Sequence, residues 1–391
     1  MSNTVIRSNA GFLPLMGAVG FAMSMTAPIE LIYAKRFGIG AIGLGLFIVT
    51  TSVGMVAIDV FGTRAVPRVG ARAAMVGGIV LFGASVFVLG VAPSVPVLLI
   101  GRVLQGFGAG LLFGAALQAA VRVHQPRDRA IARFSAAFLL GGAVGAPIGG
   151  IVAGVASGDT GYRLAFVLCA ALCVLTAVAL RRSLPVLGAD SQLPIEFGLP
   201  RLSGNPGLGR ALVLATIGDF VRGGVVYSAL PLAGDSRHLS TALIGTIIGV
   251  LSAVEIVLLA ASGRFADRLG PINCIIGSLL LGVIAAFLLA SPTGLAGYVV
   301  GAVLFGFVVA GTTFGAPVMM MAFADDESAG LARFRISSGI GMTVGSTGMG
   351  VTTAAVGSTE VFALLAAILL AGVGLARHVG RTMPQTLVAQ R

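Results

Sequence analysis

The chain has 391 residues, of which 57% are hydrophobic and 10% charged, with a mean hydropathy of +1.03. A soluble globular domain, in which roughly a quarter of residues are charged, is therefore excluded. The net charge of +11 does not point to nucleic acid, because the basic residues are scattered over short loops instead of gathering on one face.

At about 20 apolar residues per crossing of a hydrocarbon core about 30 Å thick, the chain has room for roughly twelve helices. Hydropathy and breaks place spans at 11–33, 41–62, 73–92, 96–120, 132–156, 163–181, 210–232, 240–262, 273–291, 296–318, 336–356 and 360–377. A membrane barrel would instead show alternating strands of about 10 residues. The expected class is all-α: a polytopic membrane protein with about twelve transmembrane helices in two pseudo-symmetric six-helix bundles. These are 1–182 and 210–391, joined by a cytoplasmic loop at 183–209 that carries Pro185, Pro194, Pro200 and Pro206. The 58 glycines suit membrane helices, where small residues let backbones approach closely. The first span is too long for a signal-peptide core, and no cleavage is expected. Cys169, Cys173 and Cys274 form neither a disulfide framework nor a metal spacing; they read as packing residues, and no metal or cofactor is expected.

An even number of spans puts both termini on one side. Lys35, Arg36, Arg163 and Arg237 then fall on the other, Arg102 and Arg222 fall inside spans, and the remaining basic residues share the side of the termini. The positive-inside rule makes that side the cytoplasm. A multi-pass protein of the cell inner (cytoplasmic) membrane is expected.

In chain order, the first span carries Met16, Met23 and, near its outer end, Glu30; the second carries Asp59 near its inner end. Arg102 and Gln105 lie in the fourth span. Gly141, Gly145 and Gly149 follow at every fourth residue of the fifth, on one helical face, with Pro147 and Gly150 beside them. Asp219, Phe220, Arg222 and Tyr227 lie in the seventh, Glu255 in the eighth and Phe314 in the tenth. An ionisable group near the bilayer centre costs roughly 2.5–3.5 kcal/mol on insertion scales and is a functional candidate by default. Glu30 and Asp59, each near a span end, also fit structural or rim positions. Asp219 and Arg222, three residues apart, share a face and could simply neutralise each other. Glu255 has no basic residue nearby in the sequence, so desolvation would favour its protonated form, and it is the first candidate for a transported proton. His124, His238 and His378 fall in loops or at span ends, which leaves proton transfer to carboxylates.

The two halves repeat at an offset of 200 residues. Gly101-x-Val103-Leu104-x-Gly106-Phe107 matches Gly301-x-Val303-Leu304-x-Gly306-Phe307, and Ala132-Arg133-Phe134 matches Ala332-Arg333-Phe334. Gly141, Val144, Gly145 and Gly150 likewise match Gly341, Val344, Gly345 and Gly350. Parallel repeats of this kind place binding sites near the midplane at the repeat interface. Ala302 and Phe305 replace Arg102 and Gln105 in the second half, and Met55 stands opposite Glu255.

Three motifs complete the pattern. Gly263-Arg264-Phe265-Ala266-Asp267-Arg268-Leu269-Gly270 fits G-x-x-x-D-R-x-G, and its first-half counterpart keeps Arg68 and Gly70 but has Thr63 and Pro67 in place of the first Gly and the Asp. Arg102-Val103-Leu104-Gln105-Gly106-Phe107-Gly108-Ala109 fits RxxQGxGA, and Gly141-x-x-x-Gly145-Ala146-Pro147-Ile148-Gly149-Gly150 is close to GxxxGPxxGG. Together they resemble the major facilitator superfamily, and within it the twelve-span drug:proton antiporters.

The resemblance implies a cytoplasmic latch formed by Gly263, Asp267, Arg268 and Gly270 with Arg68, Gly70 and Arg72; the alternative is that these arginines only set topology. Pro67 supplies no carboxylate, and Asp325, Asp326 and Glu327 are candidate substitutes. It implies that Arg102 takes part in coupling, and that the glycine face of the fifth span packs against the other half, plain tight packing being the alternative. It also implies a cavity between spans one, four, seven and ten. The soft side chains Met16, Met23, Phe220, Tyr227 and Phe314 there favour a lipophilic cargo.

The expected function is proton-coupled export of a small lipophilic organic compound or drug by a monomer in the lipid bilayer, with alternating access. Alternatives are an importer or facilitator of a small metabolite, and a non-transporting receptor on the same fold. No nucleotide-binding loop of the GxxxxGK[ST] type and no nucleophile–base set suggests a pump or an enzyme.

Overall fold

The computed structural model describes residues 2–123, 127–183, 206–323 and 327–383, and the described residues are almost entirely helical. In chain order the helices are α1 (Ser2–Met25), α2 (Ala27–Lys35), α3 (Ala41–Val69), α4 (Ala71–Val91), α5 (Val95–Val123), α6 (Arg127–Val155) and α7 (Thr160–Ser183). Then come α8 (Pro206–Val221), a π-helical stretch (Arg222–Ala229), α9 (Leu230–Ser236), α10 (Thr241–Leu269), α11 (Pro271–Ala290), α12 (Gly294–Ala322), α13 (Glu327–Val356) and α14 (Ser358–Thr382). Among the described residues, ten helical stretches are long and apolar enough to cross a membrane, with a shorter apolar helix at Ala41–Met55. The protein is a multi-pass membrane protein.

Each expected span coincides with a helix, but the first and seventh are broken. α2 restarts after Thr26 with a proline in its first turn, where the missing N–H costs no intrahelical bond. The seventh span passes from α8 through the π stretch into α9, which also has a proline at its start.

Packing separates the helices into two compact units. The first gathers the helices up to α7 together with His238–Gly249; the second gathers α8, the π stretch, α9, α10 from Val250 onward, and α11 to α14. The unit boundary therefore departs from a simple division of the chain in halves at 183–209, because the first turns of α10 pack on α6. Gly245 lies against the Ala146 carbonyl, Gly249 lies against Pro147 and the Ala143 carbonyl, and Thr241 Oγ1 donates to the Gly150 carbonyl at 3.0 Å.

The repeat is visible atom by atom. Gly101 abuts Leu89 and the Ser85 carbonyl, and Gly301 abuts Leu289 and the Ala285 carbonyl. Gly106 faces the Thr51 carbonyl, and Gly306 faces that of Leu251. Gly70 and Gly270 precede α4 and α11 with φ of 80° and 76°, a region that penalises any side chain. These contacts preserve the offset read from the sequence.

The glycine face of α6 corrects one expectation. Gly141, Gly145 and Gly149 lie on the backbone carbonyls of Gly17, Phe21 and Met25 of α1, so this face packs inside the first unit and not against the other half. The spacing of four on both helices aligns each missing side chain with a successive turn of its neighbour. It is the adjacent residues Ala146, Pro147 and Gly150 that meet the start of α10.

Candidate functional site

The ionisable residues inside the spans collect into two clusters, one in each unit. In the first unit, the break at Thr26 places Glu30 in the first turn of α2, where the helix dipole favours an anion. Thr26 Oγ1 donates to Glu30 Oε1 at 2.7 Å, Gln105 Nε2 donates to the same oxygen at 2.7 Å, and Arg102 Nη1 donates to Glu30 Oε2. Arg102 is held further by the Gln105 side-chain oxygen at 2.6 Å and the Phe47 main-chain oxygen at 3.1 Å, and its guanidinium lies 4.5 Å from the centre of the Phe47 ring. All of these groups are buried. One carboxylate meets one guanidinium, and each oxygen of that carboxylate has a donor.

Glu30 is accordingly enclosed by side chains of its own unit and not open to solvent. Arg102 and Gln105 are three residues apart on one helix, but Glu30 lies 72 residues from Arg102, beyond what periodicity can reveal.

In the second unit, Arg222 opens the π stretch and Asp219 lies one turn before it on α8. Arg222 Nη2 donates to Glu255 Oε1 on α10 and, at 3.0 Å, to Thr313 Oγ1 on α12. Its Nε stands 3.8 Å from Asp219 Oδ1. Side-chain exposure is 2% for Glu255, 15% for Arg222 and 16% for Asp219. Two carboxylates thus share one guanidinium.

This corrects the reading of Glu255 as a carboxylate without a basic partner: Arg222 is 33 residues away in sequence and in direct contact in space. Asp219 and Arg222 do not close on themselves as a pair, since the guanidinium directs a hydrogen bond to Glu255 and stands farther from Asp219. The π geometry was not legible in the sequence. Gly223 and Gly224 permit it, lying against Met342, Met349 and the Gly345 carbonyl of α13. π segments in helices occur frequently at functional sites.

The remaining candidates are dispersed. Met16 is fully enclosed at 0% exposure, so it is a packing residue and not part of an open cavity wall. Met23, Phe220, Tyr227 and Phe314 are half-buried. The side chains of Asp59, Arg68 and Asp267 and the surroundings of Gly263 lie outside the described residues, as do Asp325, Asp326 and the side chain of Glu327, and so does most of the expected latch. Arg268 is exposed, and Arg72 donates to the Arg181 carbonyl. Among the described residues no group of His, Cys, Asp and Glu could hold a metal ion.

No curated protein matches the sequence. The structure is similar to that of a point mutant of the nucleoside transporter NupG, with a TM-score of 0.77 at 11% identity over 94% of this chain and 98% of that one. It is similar to a bacterial homolog of the human lysosomal transporter Spinster in its inward-facing, unoccupied form, with a TM-score of 0.77 at 13% identity over 98% of each chain. The human organic anion transporter MFSD10 (TETRAN) gives 0.66 at 16% identity over 95% of this chain and 99% of that one. These likenesses share a transporter fold, and the family model for the Major Facilitator Superfamily matches residues 12–332. With a duplicated helical scaffold and that match over most of its length, the chain belongs to the Major Facilitator Superfamily.

Proposed function

We propose that the protein is a proton-coupled exporter of a small lipophilic organic compound, a drug:proton antiporter working by alternating access in the cytoplasmic membrane with both termini in the cytoplasm. The observation that carries this reading is the pair of buried charge clusters, each joining separate spans: Glu30, Arg102 and Gln105 in one unit, Asp219, Arg222 and Glu255 in the other. An ion pair inside the bilayer is expensive to maintain, and intramembrane ionisable residues mark ion pathways and proton relays. Residues 141–150, close to the antiporter signature GxxxGPxxGG with the proline displaced by one, support the antiporter reading, whereas 263–270 fits the superfamily as a whole.

In this scheme a proton reaching the second cluster cancels part of its negative charge and loosens the hold on Arg222. Since Arg222 bridges the seventh, eighth and tenth spans, that change in charge is also a change in how three helices are tied. Each charge moved across 100 mV of membrane potential contributes about 2.3 kcal/mol. Apolar cargo is supported by the half-buried Met23, Phe220, Tyr227 and Phe314 and by the aromatic trio Phe113, Phe134 and Phe138, whose ring centres stand 4.7 to 6.5 Å apart.

Cells expressing the protein are expected to accumulate less of a panel of lipophilic dyes and antibiotics than cells without it, with the difference removed by a protonophore. A reduction that survives the protonophore would contradict proton coupling, and increased accumulation would replace export by import.

A further inference from the structure

The two clusters differ in charge. The first holds one carboxylate against one guanidinium, with each oxygen of Glu30 receiving a hydrogen bond. The second holds two carboxylates against the single guanidinium of Arg222. With both acids ionised, the second cluster would carry one uncompensated negative charge in a site where all three side chains are no more than 16% exposed. Like charges are costly to keep together in one desolvated site, so this cluster is where uptake of one proton relieves the most charge.

Geometry separates their roles. Glu255 is 2% exposed and accepts a direct hydrogen bond from Arg222 Nη2, which makes it the nearer partner of the guanidinium and cuts it off from water. Asp219 stands 3.8 Å from Arg222 Nε and retains 16% exposure. Around Asp219 the charged and titratable groups among the described residues are Arg222 and Tyr227 on its own span, with Glu255 on α10 joined to it through the shared guanidinium. Hydroxyls come from Thr313 on α12 and Ser338 on α13, and α14 meets α8 through the apolar pair Gly372 and Ile217. Among the described residues no second cation balances the pair.

We infer that Asp219, and not Glu255, is the group that takes up and releases the exchanged proton, while Glu255 is the standing counter-ion of Arg222. The proton is drawn from water onto an Asp219 carboxylate oxygen, leaving the cluster neutral, and its return to water restores one negative charge beside Arg222. The repeat position explains why the first unit does not do the same. Phe113 and Phe138 stand where the second unit has Thr313 and Ser338, and the first cluster is already balanced. The role assigned to Asp219 in transport rests on the proton-coupled reading above; its titration does not.

Infrared difference spectra of the full-length protein in lipid, recorded between alkaline and mildly acidic buffer, test this directly. A protonated-carboxyl band is expected that grows on acidification, shifts when the protein carries carbon-isotope-labelled aspartate, stays in place with labelled glutamate, and is absent from Asp219→Asn. The isotope arms use the unmutated chain and so do not depend on that variant folding. A titrating band that follows labelled glutamate, or that persists in Asp219→Asn, would overturn the inference. Should Asp219 titrate in a protein that no proton gradient drives, the inference stands and the exporter reading falls; should proton-driven flux occur with the band on glutamate, the reverse holds.

Discussion

Arg102 is the residue on which the first cluster turns, since it donates to Glu30, to Gln105 and to the Phe47 main chain at once. Removing one member of a buried pair leaves the other charge uncompensated, which costs about 3–5 kcal/mol, whereas replacing both with apolar groups of similar size is often neutral. Arg102→Ala is therefore expected to lower the thermal unfolding midpoint in detergent markedly. Glu30→Leu/Arg102→Leu should recover most of that loss without restoring transport. A double variant as unstable as the single one would mean that the pair holds the unit together through more than its charges. At this scale the sequence revealed which residue types matter but not their partners: helical spacing links Arg102 to Gln105 and Asp219 to Arg222, while Glu30 and Glu255 find their arginines only through tertiary packing.

Helix contacts in this chain are set by which glycines lie under a neighbouring backbone. A Cβ at Gly149 would fall on the Met25 carbonyl oxygen, whereas one at Gly348 meets nothing within 4 Å. Overpacking a tight contact costs about 1–3 kcal/mol, and an alanine in place of a helical glycine with room to spare gains roughly 0.5–1 kcal/mol. Gly149→Ala should thus lower the unfolding midpoint and Gly348→Ala leave it equal or slightly higher, as read by thermal unfolding in detergent. Equal effects from the two would refute the α1–α6 contact as described. Periodicity placed Gly141, Gly145 and Gly149 on one face but could not say what covers it, because a stripe of small residues fits any close neighbour. Nor could it show the π stretch at Arg222–Ala229, since a reading based on 3.6 residues per turn has no means of registering a local widening.

Across the whole molecule the scaffold is duplicated and the chemistry is not. Glycine contacts recur at an offset of 200, as with Gly101 on Leu89 and Gly301 on Leu289, so the span count, the repeat and the family were all legible in composition and motif spacing. The charged residues break that symmetry: Arg102 and Gln105 face Ala302 and Phe305 in the repeat, Glu255 faces Met55, and the aromatic Phe113 and Phe138 face Thr313 and Ser338. Only the second unit sets two carboxylates against a single guanidinium, the asymmetry that the proposed binding of a proton on one side of the duplication requires. Charges buried for structure alone would not need that imbalance.

In the proposed cycle a proton gradient does work through these clusters. Purified protein reconstituted into proteoliposomes, loaded with a lipophilic dye and subjected to an imposed pH gradient, is predicted to move dye against its concentration gradient and opposite to the protons. The movement should vanish with a protonophore and in Arg222→Ala. Dye flux indifferent to the gradient, or uphill movement of wild-type extent in Arg222→Ala, would contradict it.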